Sequence, residues 1–256
     1  MTHSRVVRPK IFAYIPQLVA GISTRHGGVS SHAYQSLNLG VHTDDDPSAI
    51  EANLKLFCAD LGISPGALAR SYQVHGSEIW TTSEAGYQTG FDAVLTSEQG
   101  IFAGVGIADC CPILLADPVC QVAAAIHAGW KGTVAQIVRK TANAMIEAGS
   151  NPADILAYIG PCISFENFEV GDEVAEQFEQ KEKRGNRWHV DLKATNAEQL
   201  RDVGINQIEI SEYCTVGNNE LFYSHRKEKG MTGRMLAVIG FQRYRPKVFT
   251  IQMRLV

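Results

Sequence analysis

The chain has 256 residues, of which 45% are hydrophobic, enough to form the core of one large domain or two small ones. Its formal net charge is −4 and it contains no basic block, which argues against nucleic acid as a partner. No apolar run is long enough to cross a membrane, and no signal-peptide segment follows the basic N-terminus. We therefore expect a small-molecule substrate or a protein partner.

The six cysteines are scattered along a chain that is too long to need disulfide bonds for its stability. Most lie in apolar segments, which predicts reduced thiols in a cytoplasmic protein. We find no internal repeat, no low-complexity stretch and no Gly/Ser-rich or Pro-rich linker. Residues 1–256 are therefore predicted to form a single domain.

The first predicted helix spans 47–61, where acidic residues precede apolar residues at helical spacing. Short apolar runs bounded by Gly, Pro or Asp predict buried strands at 102–108, 113–116, 122–127, 156–159 and 235–241. Further helices are predicted at 133–148, 171–181 and 196–203, and the charged segment 179–187 is predicted to be a helix end that runs into a solvated loop. Strands mixed with a few helices, without regular alternation, favour an α+β or mixed α/β fold.

Three segments carry metal-capable side chains at the ends of apolar strands. They contain His75 in QVHG (73–76), Cys110 in ADCCP (108–112) and His127 in HAGWKG (127–132). Two imidazoles and one thiolate suit zinc, and three protein ligands leave a fourth position open, as in catalytic zinc sites. The gaps of 35 and 17 residues mean that only the tertiary fold can assemble such a site. Taken singly, each residue also fits a structural role, as a small buried thiol or a hydrogen-bonded histidine.

Other patterns are weaker. Gly104 and Gly106 resemble the start of a dinucleotide-binding loop, but Asp109 stands where its third glycine belongs. The signature of cytidine-type zinc deaminases is missing. Arg25 beside Gly27 and Gly28 is a candidate anion site, although a plain turn explains the glycines equally well. Two further arginines, Arg226 and Arg234, flank a late loop, where a solvated surface is the alternative.

Several motifs, taken together and in order, resemble the YfiH-like family, which is also called the laccase-domain or polyphenol oxidoreductase family. They are RHGGVS (25–30), SLNLG (36–40), QVHG (73–76), ADC (108–110), HAGWKG (127–132), GP (160–161) and TGRM (232–235). The resemblance implies one α+β domain with a mixed β-sheet flanked by helices, similar in outline to the catalytic domain of cytotoxic necrotizing toxins. It also implies that zinc is held by His75, Cys110 and His127.

The family's activities imply a purine nucleoside phosphorylase that also deaminates adenosine and cleaves methylthioadenosine, with purine nucleosides and phosphate as ligands. An older family label implies a copper-dependent laccase (Cu²⁺), and some bacterial members are described as editing peptidoglycan precursors. On this basis the candidate substrate-binding residues are Arg25 for phosphate, Asn38 and Gln73 for the nucleoside, Asp109 for proton transfer, and Arg226.

This sequence departs from the family at three places. Cys111 adds a second thiol beside Cys110, and successive strand residues point to opposite faces, so both cannot easily bind one metal. His225 stands where an aromatic residue is common. Residues 242–256 have no clear family counterpart, and we expect them to pack on the domain or on a partner.

Three alternatives to the zinc enzyme stay open. A copper oxidase needs many imidazoles, and the chain has no H-x-H pair. A metal-free hydrolase would use Cys110 as nucleophile and His127 as base. A binding protein would hold a nucleotide-like ligand or a cell-wall precursor without turnover. The sequence does not determine the oligomeric state.

Overall fold

The computed structural model describes residues 4–244, which form fifteen strands, five α-helices and five short 3-10 helices. The helices are α1 (Pro47–Leu61), α2 (Trp130–Val134), α3 (Ile137–Glu147), α4 (Asp172–Ala175) and α5 (Leu192–Asp202). The strands are β1 (Val6–Val7), β2 (Leu18–Ser23), β3 (Leu68–Tyr72), β4 (Ile79–Thr81), β5 (Gly86–Thr89), β6 (Ala93–Thr96), β7 (Phe102–Ile107), β8 (Cys111–Asp117), β9 (Val122–Ala128), β10 (Leu156–Ile159), β11 (Glu169–Val170), β12 (Lys181–Arg184), β13 (Arg187–Val190), β14 (Gln207–Ile210) and β15 (Met235–Phe241).

Most strands belong to two six-stranded mixed sheets. Sheet A has the order β1-β2-β15-β7-β3-β5, and sheet B has the order β14-β10-β8-β9-β6-β4. In sheet A, β3 pairs parallel with both β5 and β7, whereas β15 pairs antiparallel with β2 and β7. A separate three-stranded sheet has the order β11-β13-β12. Mixed sheets with few helices confirm the predicted α+β class, and the structure adds that the strands form two sheets.

The two large sheets stack face to face, and helices cover their outer faces. Alternate residues of β8 show this arrangement: Leu114 packs between the sheets, whereas Ile113 and Leu115 pack toward α3 and α5. On the other side, Phe57 of α1 packs with Val238 of β15 on the outer face of sheet A. The chain therefore forms four layers, in the order helix, sheet, sheet, helices.

The helix predictions were right for α1, whose predicted bounds agree with the structure. Asp46 accepts a hydrogen bond from the Ser48 amide and so caps its first turn. The helix predicted over 133–148 is two helices, because Gln136 adopts a left-handed backbone (φ 59°) between α2 and α3. The Thr133 carbonyl accepts hydrogen bonds from the Gln136 amide and from the Gln199 side-chain amide of α5 at this break.

The helix predicted over 171–181 was wrong beyond Ala175, and the charged segment 179–187 was wrong as a helix end and loop. There the chain forms the hairpin β12–β13, whose two-residue turn is Gly185-Asn186 with a positive φ at Gly185. The turn was recognisable in the sequence, but the charged residues of β12 do not alternate with apolar ones. The expectation for 242–256 lies largely outside the described residues, which end at 244.

Between β3 and β8 the chain alternates between the two sheets. Strands β3, β5 and β7 belong to sheet A, and the strand that follows each of them, β4, β6 or β8, belongs to sheet B. Since β3, β5 and β7 are parallel neighbours, the three crossings from sheet A to sheet B lie at the same edge of the sandwich. Among residues 4–244, no helix is long and apolar enough to cross a bilayer.

We predict that Leu114→Ala destabilises the protein by about 3 kcal/mol, because Leu114 is completely buried between the two sheets. Val119→Ala is the control, since Val119 is 71% exposed in the turn after β8, and we expect a change within about 0.5 kcal/mol. The measurement is urea unfolding followed by circular dichroism. An equal decrease in the free energy of unfolding of the two variants would contradict the layered packing.

Candidate metal centre and cavity

The crossing edge brings together the three predicted metal ligands. His75 lies in the crossing from β3 to β4, Cys110 in the crossing from β7 to β8, and His127 near the end of β9. Their ligand atoms all lie within 4.8 Å of one another. The His75 and His127 rings meet edge to face, with centroids 4.9 Å apart. The tertiary fold thus assembles the cluster that sequence spacing alone could not establish.

Two residues of these crossings have strained backbones. His75 (φ 58°) and Asp109 (φ 83°) occupy the left-handed region although neither is glycine. Such conformations cost on the order of 1–3 kcal/mol and persist only where the surroundings hold them. The Asp109 carboxylate accepts hydrogen bonds from the Thr215 hydroxyl at 2.5 Å and the Arg226 amide at 2.6 Å. This anchoring fixes the backbone immediately before Cys110.

Asp92, at the crossing from β5 to β6, orients His127. The Asp92 carboxylate has no exposed surface, and its Oδ1 lies 2.8 Å from Nδ1 of His127, whose side chain is only 4% exposed. With Nδ1–H donating to the carboxylate, Nε2 is left as the nitrogen that can bind a metal. Sequence analysis missed Asp92. The available signal was its spacing, 17 residues after His75 and 18 before Cys110.

These side chains fit a transition metal of the zinc type. One thiolate sulfur and two imidazole nitrogens form a three-ligand set of the kind found in catalytic zinc sites, and a carboxylate behind one imidazole is the usual support for such a ligand. Gly129 leaves room for the cluster, because a Cβ there would lie 3.0 Å from Sγ of Cys110 and 3.2 Å from Cδ2 of His75. Among residues 4–244, this is the one cluster of three or more such groups.

The cluster stabilises a thiolate. Burial alone would raise the pKa of the Cys110 thiol, but His127 and His75 outweigh burial and lower that pKa to about 6. Burial alone would lower the pKa of His127, but Cys110 and Asp92 outweigh it and raise that pKa to about 9. In the metal-free protein the pair is therefore a thiolate and an imidazolium at neutral pH. A metal held by His75, Cys110 and His127 would replace the imidazolium proton as the positive charge beside the thiolate.

The cluster opens into a cavity of about 490 Å³. Its polar wall includes three arginines, Arg70, Arg226 and Arg234. Its aromatic wall includes Tyr72, Tyr87, His42 and Phe168, and Gly104 and Gly106 contribute the floor. Cations and aromatic faces beside a metal-capable cluster suit a ligand that has both an anionic and a flat apolar part.

One aromatic group forms a connected unit at the cavity rim. The His42 ring packs edge to face on Tyr72 with centroids 4.4 Å apart, and Nε2 of His42 lies 2.6 Å from the Tyr87 hydroxyl. The guanidinium of Arg70 lies 5.9 Å from the centre of the Tyr87 ring. Both tyrosines remain exposed, so their faces are available to a ligand.

Residues 19–242 match the family described as multi-copper polyphenol oxidoreductase laccase. The chain belongs to this family. The resemblance inferred from the motifs is therefore confirmed.

Several curated relatives of this chain carry the name purine nucleoside phosphorylase. The one from Deinococcus radiodurans is 40% identical over 227 residues, covering 86% of this chain and 88% of the relative. The one from Bacillus subtilis, named YlmD, is 33% identical and covers 88% and 89% of the two chains. The solved structure of YlmD from Geobacillus stearothermophilus superposes with a TM-score of 0.89 at 30% identity, over 95% of this chain and 98% of that one. These matches confirm the fold.

Three of the predicted substrate-binding residues line the cavity of this family member: Gln73, Asp109 and Arg226. The Gln73 amide exchanges two hydrogen bonds of 2.8 Å with the backbone of Gly106, so it fixes the cavity floor. Both oxygens of Asp109 already accept hydrogen bonds. Arg226 donates to the carbonyls of Asn167 and Glu169 and approaches the Phe168 ring.

Two predicted residues do not line this cavity. The Arg25 guanidinium pairs with Glu228 at 3.0 Å, donates to backbone carbonyls including that of Asn219, and lies over the Tyr223 ring. The fully buried Asn38 side chain donates to Thr43 and Asp45 and accepts from the amides of Gly40 and Arg234. All four of its hydrogen-bonding positions are thus used to hold the loop behind the cavity wall. Arg25 lines a second, separate pocket, and ligand binding by Arg25 and Asn38 stays a prediction.

The structure also separates the two adjacent thiols. Cys111 is the first residue of β8 and is fully buried toward the helices, where it packs beside Cys162. Cys110 alone faces the cavity. Cys110 was the predicted ligand, and its place in the cavity wall follows because adjacent side chains at the start of the strand point in opposite directions.

Besides Asp92, sequence analysis missed Arg70. It named Arg234 only as one of two arginines beside a late loop, with a solvated surface as the alternative. Arg70 lies in β3 and Arg234 immediately precedes β15, and both are half-buried. An arginine within a strand and two residues before Tyr72 was the available signal, because strand residues i and i+2 share a face.

We predict that Cys110 of the chelator-treated protein reacts with iodoacetamide with half-maximal rate near pH 6, because its thiolate forms above that pH. Cys120 is exposed and has a raised pKa, so it serves as the internal control that reacts only at higher pH. Peptide mass spectrometry from pH 5 to pH 9 separates the two sites. Alkylation of both only above about pH 8 would show that the histidines do not stabilise the thiolate.

Proposed function

We propose that this protein is a zinc-dependent purine nucleoside phosphorylase that also deaminates adenosine and cleaves methylthioadenosine. The observation that carries the proposal is the cluster of His75, Cys110 and His127, which opens into a cavity with arginine and aromatic walls. The curated relatives named purine nucleoside phosphorylase, 33–40% identical over most of the chain, support the same reaction class.

His75, Cys110 and His127 would hold the zinc ion. When bound, zinc supplies a Lewis acid and lowers the pKa of a coordinated water to roughly 7. Copper is the alternative metal, since the family's description names it. The single cluster of three ligands among residues 4–244 favours one zinc ion over a centre with several coppers.

Arg70 is the residue that fits phosphate best. It is half-buried in the cavity wall, and among the described residues it forms no ion pair with a carboxylate. A guanidinium withdrawn from water without an anion is costly, and its planar donors match phosphate oxygens. Gly104 lies beneath it, and a Cβ at that position would come within 3.2 Å of Cγ of Arg70. Arg234 adds a second half-buried guanidinium to the same cavity.

The aromatic side chains suit the purine. Tyr72 and Tyr87 on one side and Phe168 on another offer faces on which a base can stack, a contact worth about 1–3 kcal/mol per base. In phosphorolysis, a phosphate oxygen bonds to C1′ of the ribose while the bond from C1′ to N9 breaks. The departing base keeps the electron pair and takes up a proton. The chain contributes by holding phosphate and nucleoside in line.

A second candidate has its own geometric support. Cys110, His127 and Asp92 lie in the order nucleophile, base and orienting carboxylate, which is the arrangement of a cysteine hydrolase. Such an enzyme could edit peptidoglycan precursors without metal. It predicts a covalent adduct on Cys110 and full activity in chelator, whereas the zinc enzyme predicts loss of activity in chelator.

The remaining features are consistent with a small-molecule enzyme of the cytoplasm. All six cysteines are unpaired, which supports a reducing compartment. The net charge of −4 supports small ligands over nucleic acid. His75 and Cys110 lie in crossings between the two sheets and His127 lies in β9 of sheet B, which supports the single catalytic domain predicted for residues 1–256.

We predict that the zinc-loaded protein converts adenosine in phosphate buffer to adenine and ribose 1-phosphate, with inosine from deamination. Chromatography of products together with metal analysis is the measurement. Chelation, Cys110→Ala, His75→Ala or His127→Ala should abolish turnover, because each removes the metal or one of its ligands. Full activity of either histidine variant would disprove the zinc mechanism. If zinc is bound but adenosine, inosine and methylthioadenosine all remain unconverted, cell-wall precursors become the next substrates to test.

We predict that Arg70→Gln raises the KM for phosphate by about 10–100-fold and leaves the KM for the nucleoside nearly unchanged. The size follows from the loss of a charge-assisted hydrogen bond, worth about 1.5–3 kcal/mol. Initial rates at varied phosphate and fixed nucleoside measure it. Arg25→Gln is the comparison, and a higher phosphate KM in that variant alone would favour the anion site predicted from the sequence.

A further inference from the structure

The Asp92 carboxylate is the most heavily used acceptor near the metal-binding cluster. Its Oδ1 accepts from the His75 amide at 3.0 Å and faces Nδ1 of His127 at 2.8 Å. Its Oδ2 accepts from the amides of Val74 at 3.1 Å and Gly76 at 2.7 Å. Three consecutive backbone amides and one imidazole thus converge on a single carboxylate with no exposed surface.

These contacts reach the two histidines by different routes. Asp92 holds His127 through its ring, which fixes the tautomer and the direction of Nε2. It holds His75 through the backbone on both sides, which stabilises the left-handed conformation at that residue. The Asp92 carbonyl also accepts from the His127 amide at 2.8 Å, so the backbone of this second histidine is held by the same residue.

We propose that Asp92 is a positioning residue that sets the placement of both histidine ligands, and thereby the metal affinity, of this site. The proposal rests on the metal-binding part of the proposed function and does not depend on which reaction the enzyme performs. The four donors compensate for the free-energy cost of burying the Asp92 carboxylate. A neutral amide of the same shape has one acceptor oxygen and cannot accept all four hydrogen bonds.

Asp92→Asn tests this with almost no change in volume. The asparagine amide has one acceptor oxygen, so it can serve either the His75 amide and the His127 ring or the amides of Val74 and Gly76. The other pair then faces an NH₂ group. In one orientation the amides on both sides of His75 lose their acceptor, and in the other the His75 amide and the His127 ring lose theirs.

Asp117→Asn is the matched control. Asp117 is also a carboxylate without exposed surface, and its Oδ1 accepts from the amides of Val119 and Cys120. It lies at the far end of β8, six residues from Cys111, or roughly 20 Å along the strand. The asparagine oxygen can keep both hydrogen bonds, so this change neutralises a buried carboxylate without moving the metal ligands.

The experiment measures the zinc dissociation constant of the full chain by competition with a chromophoric chelator. We expect affinity to fall by about 10–100-fold in Asp92→Asn and to stay within about threefold in Asp117→Asn. Co²⁺ provides a second readout, since the intensity of its ligand-field bands reports distortion of the ligand set. We expect an altered cobalt spectrum at saturation only in Asp92→Asn. Urea unfolding midpoints of the metal-free variants monitor the fold.

Three outcomes would overturn the proposal. The first is unchanged zinc affinity and cobalt spectrum in Asp92→Asn. The second is an equal loss in both variants, which would make general destabilisation the cause. The third is that the unaltered chain binds neither ion, which would also remove the metal from the proposed function. Zinc binding with the predicted loss, but without purine turnover, would leave Asp92 in place and overturn only the reaction.

Discussion

The alternation of consecutive strands between two stacked sheets is the constraint on which the site depends. Each of β3, β5 and β7 must leave sheet A and enter sheet B, and their parallel order places all three crossings at one edge. His75, Asp92 and Cys110 lie in these crossings, one in each. The packed sheets hold the crossings at fixed separations, so short segments without regular structure can present ligands precisely.

Charge within this edge is arranged to suit a positive ion and an anionic ligand. The Asp92 carboxylate and the Cys110 thiolate surround His127, while Arg70 and Arg234 line the cavity next to them. In a partly buried site these charges interact more strongly than they would in water. The candidate metal ligands therefore lie where negative charge collects, whereas the two guanidinium groups line the cavity beside them. Gly104 and Gly106 keep the cavity floor open, and Gly129 leaves room for the side chains of Cys110 and His75.

Much of the fold could be predicted from local pattern. The bounds of α1, β10 and β15 agree with the predicted ranges, because each is a run of apolar residues with the period of its element and clear end signals. The hairpin β12–β13 was missed because its first strand is charged, exposed and supported only by pairing with its neighbour. Likewise the break at Gln136 depends on α5, which packs on α2 from more than fifty residues away.

By itself the sequence predicted α1, the long apolar strands and the residue types of the candidate metal-binding cluster, because these follow from composition, periodicity and motif order. Only the tertiary structure decided which of those residues share a cavity. It placed Gln73, Asp109 and Arg226 in its wall, kept Arg25 and Asn38 in structural networks, and added Asp92 and Arg70. The physical reason is that a side chain's role depends on its burial and its partners. Here those partners come from strands far apart in sequence, which no local pattern encodes.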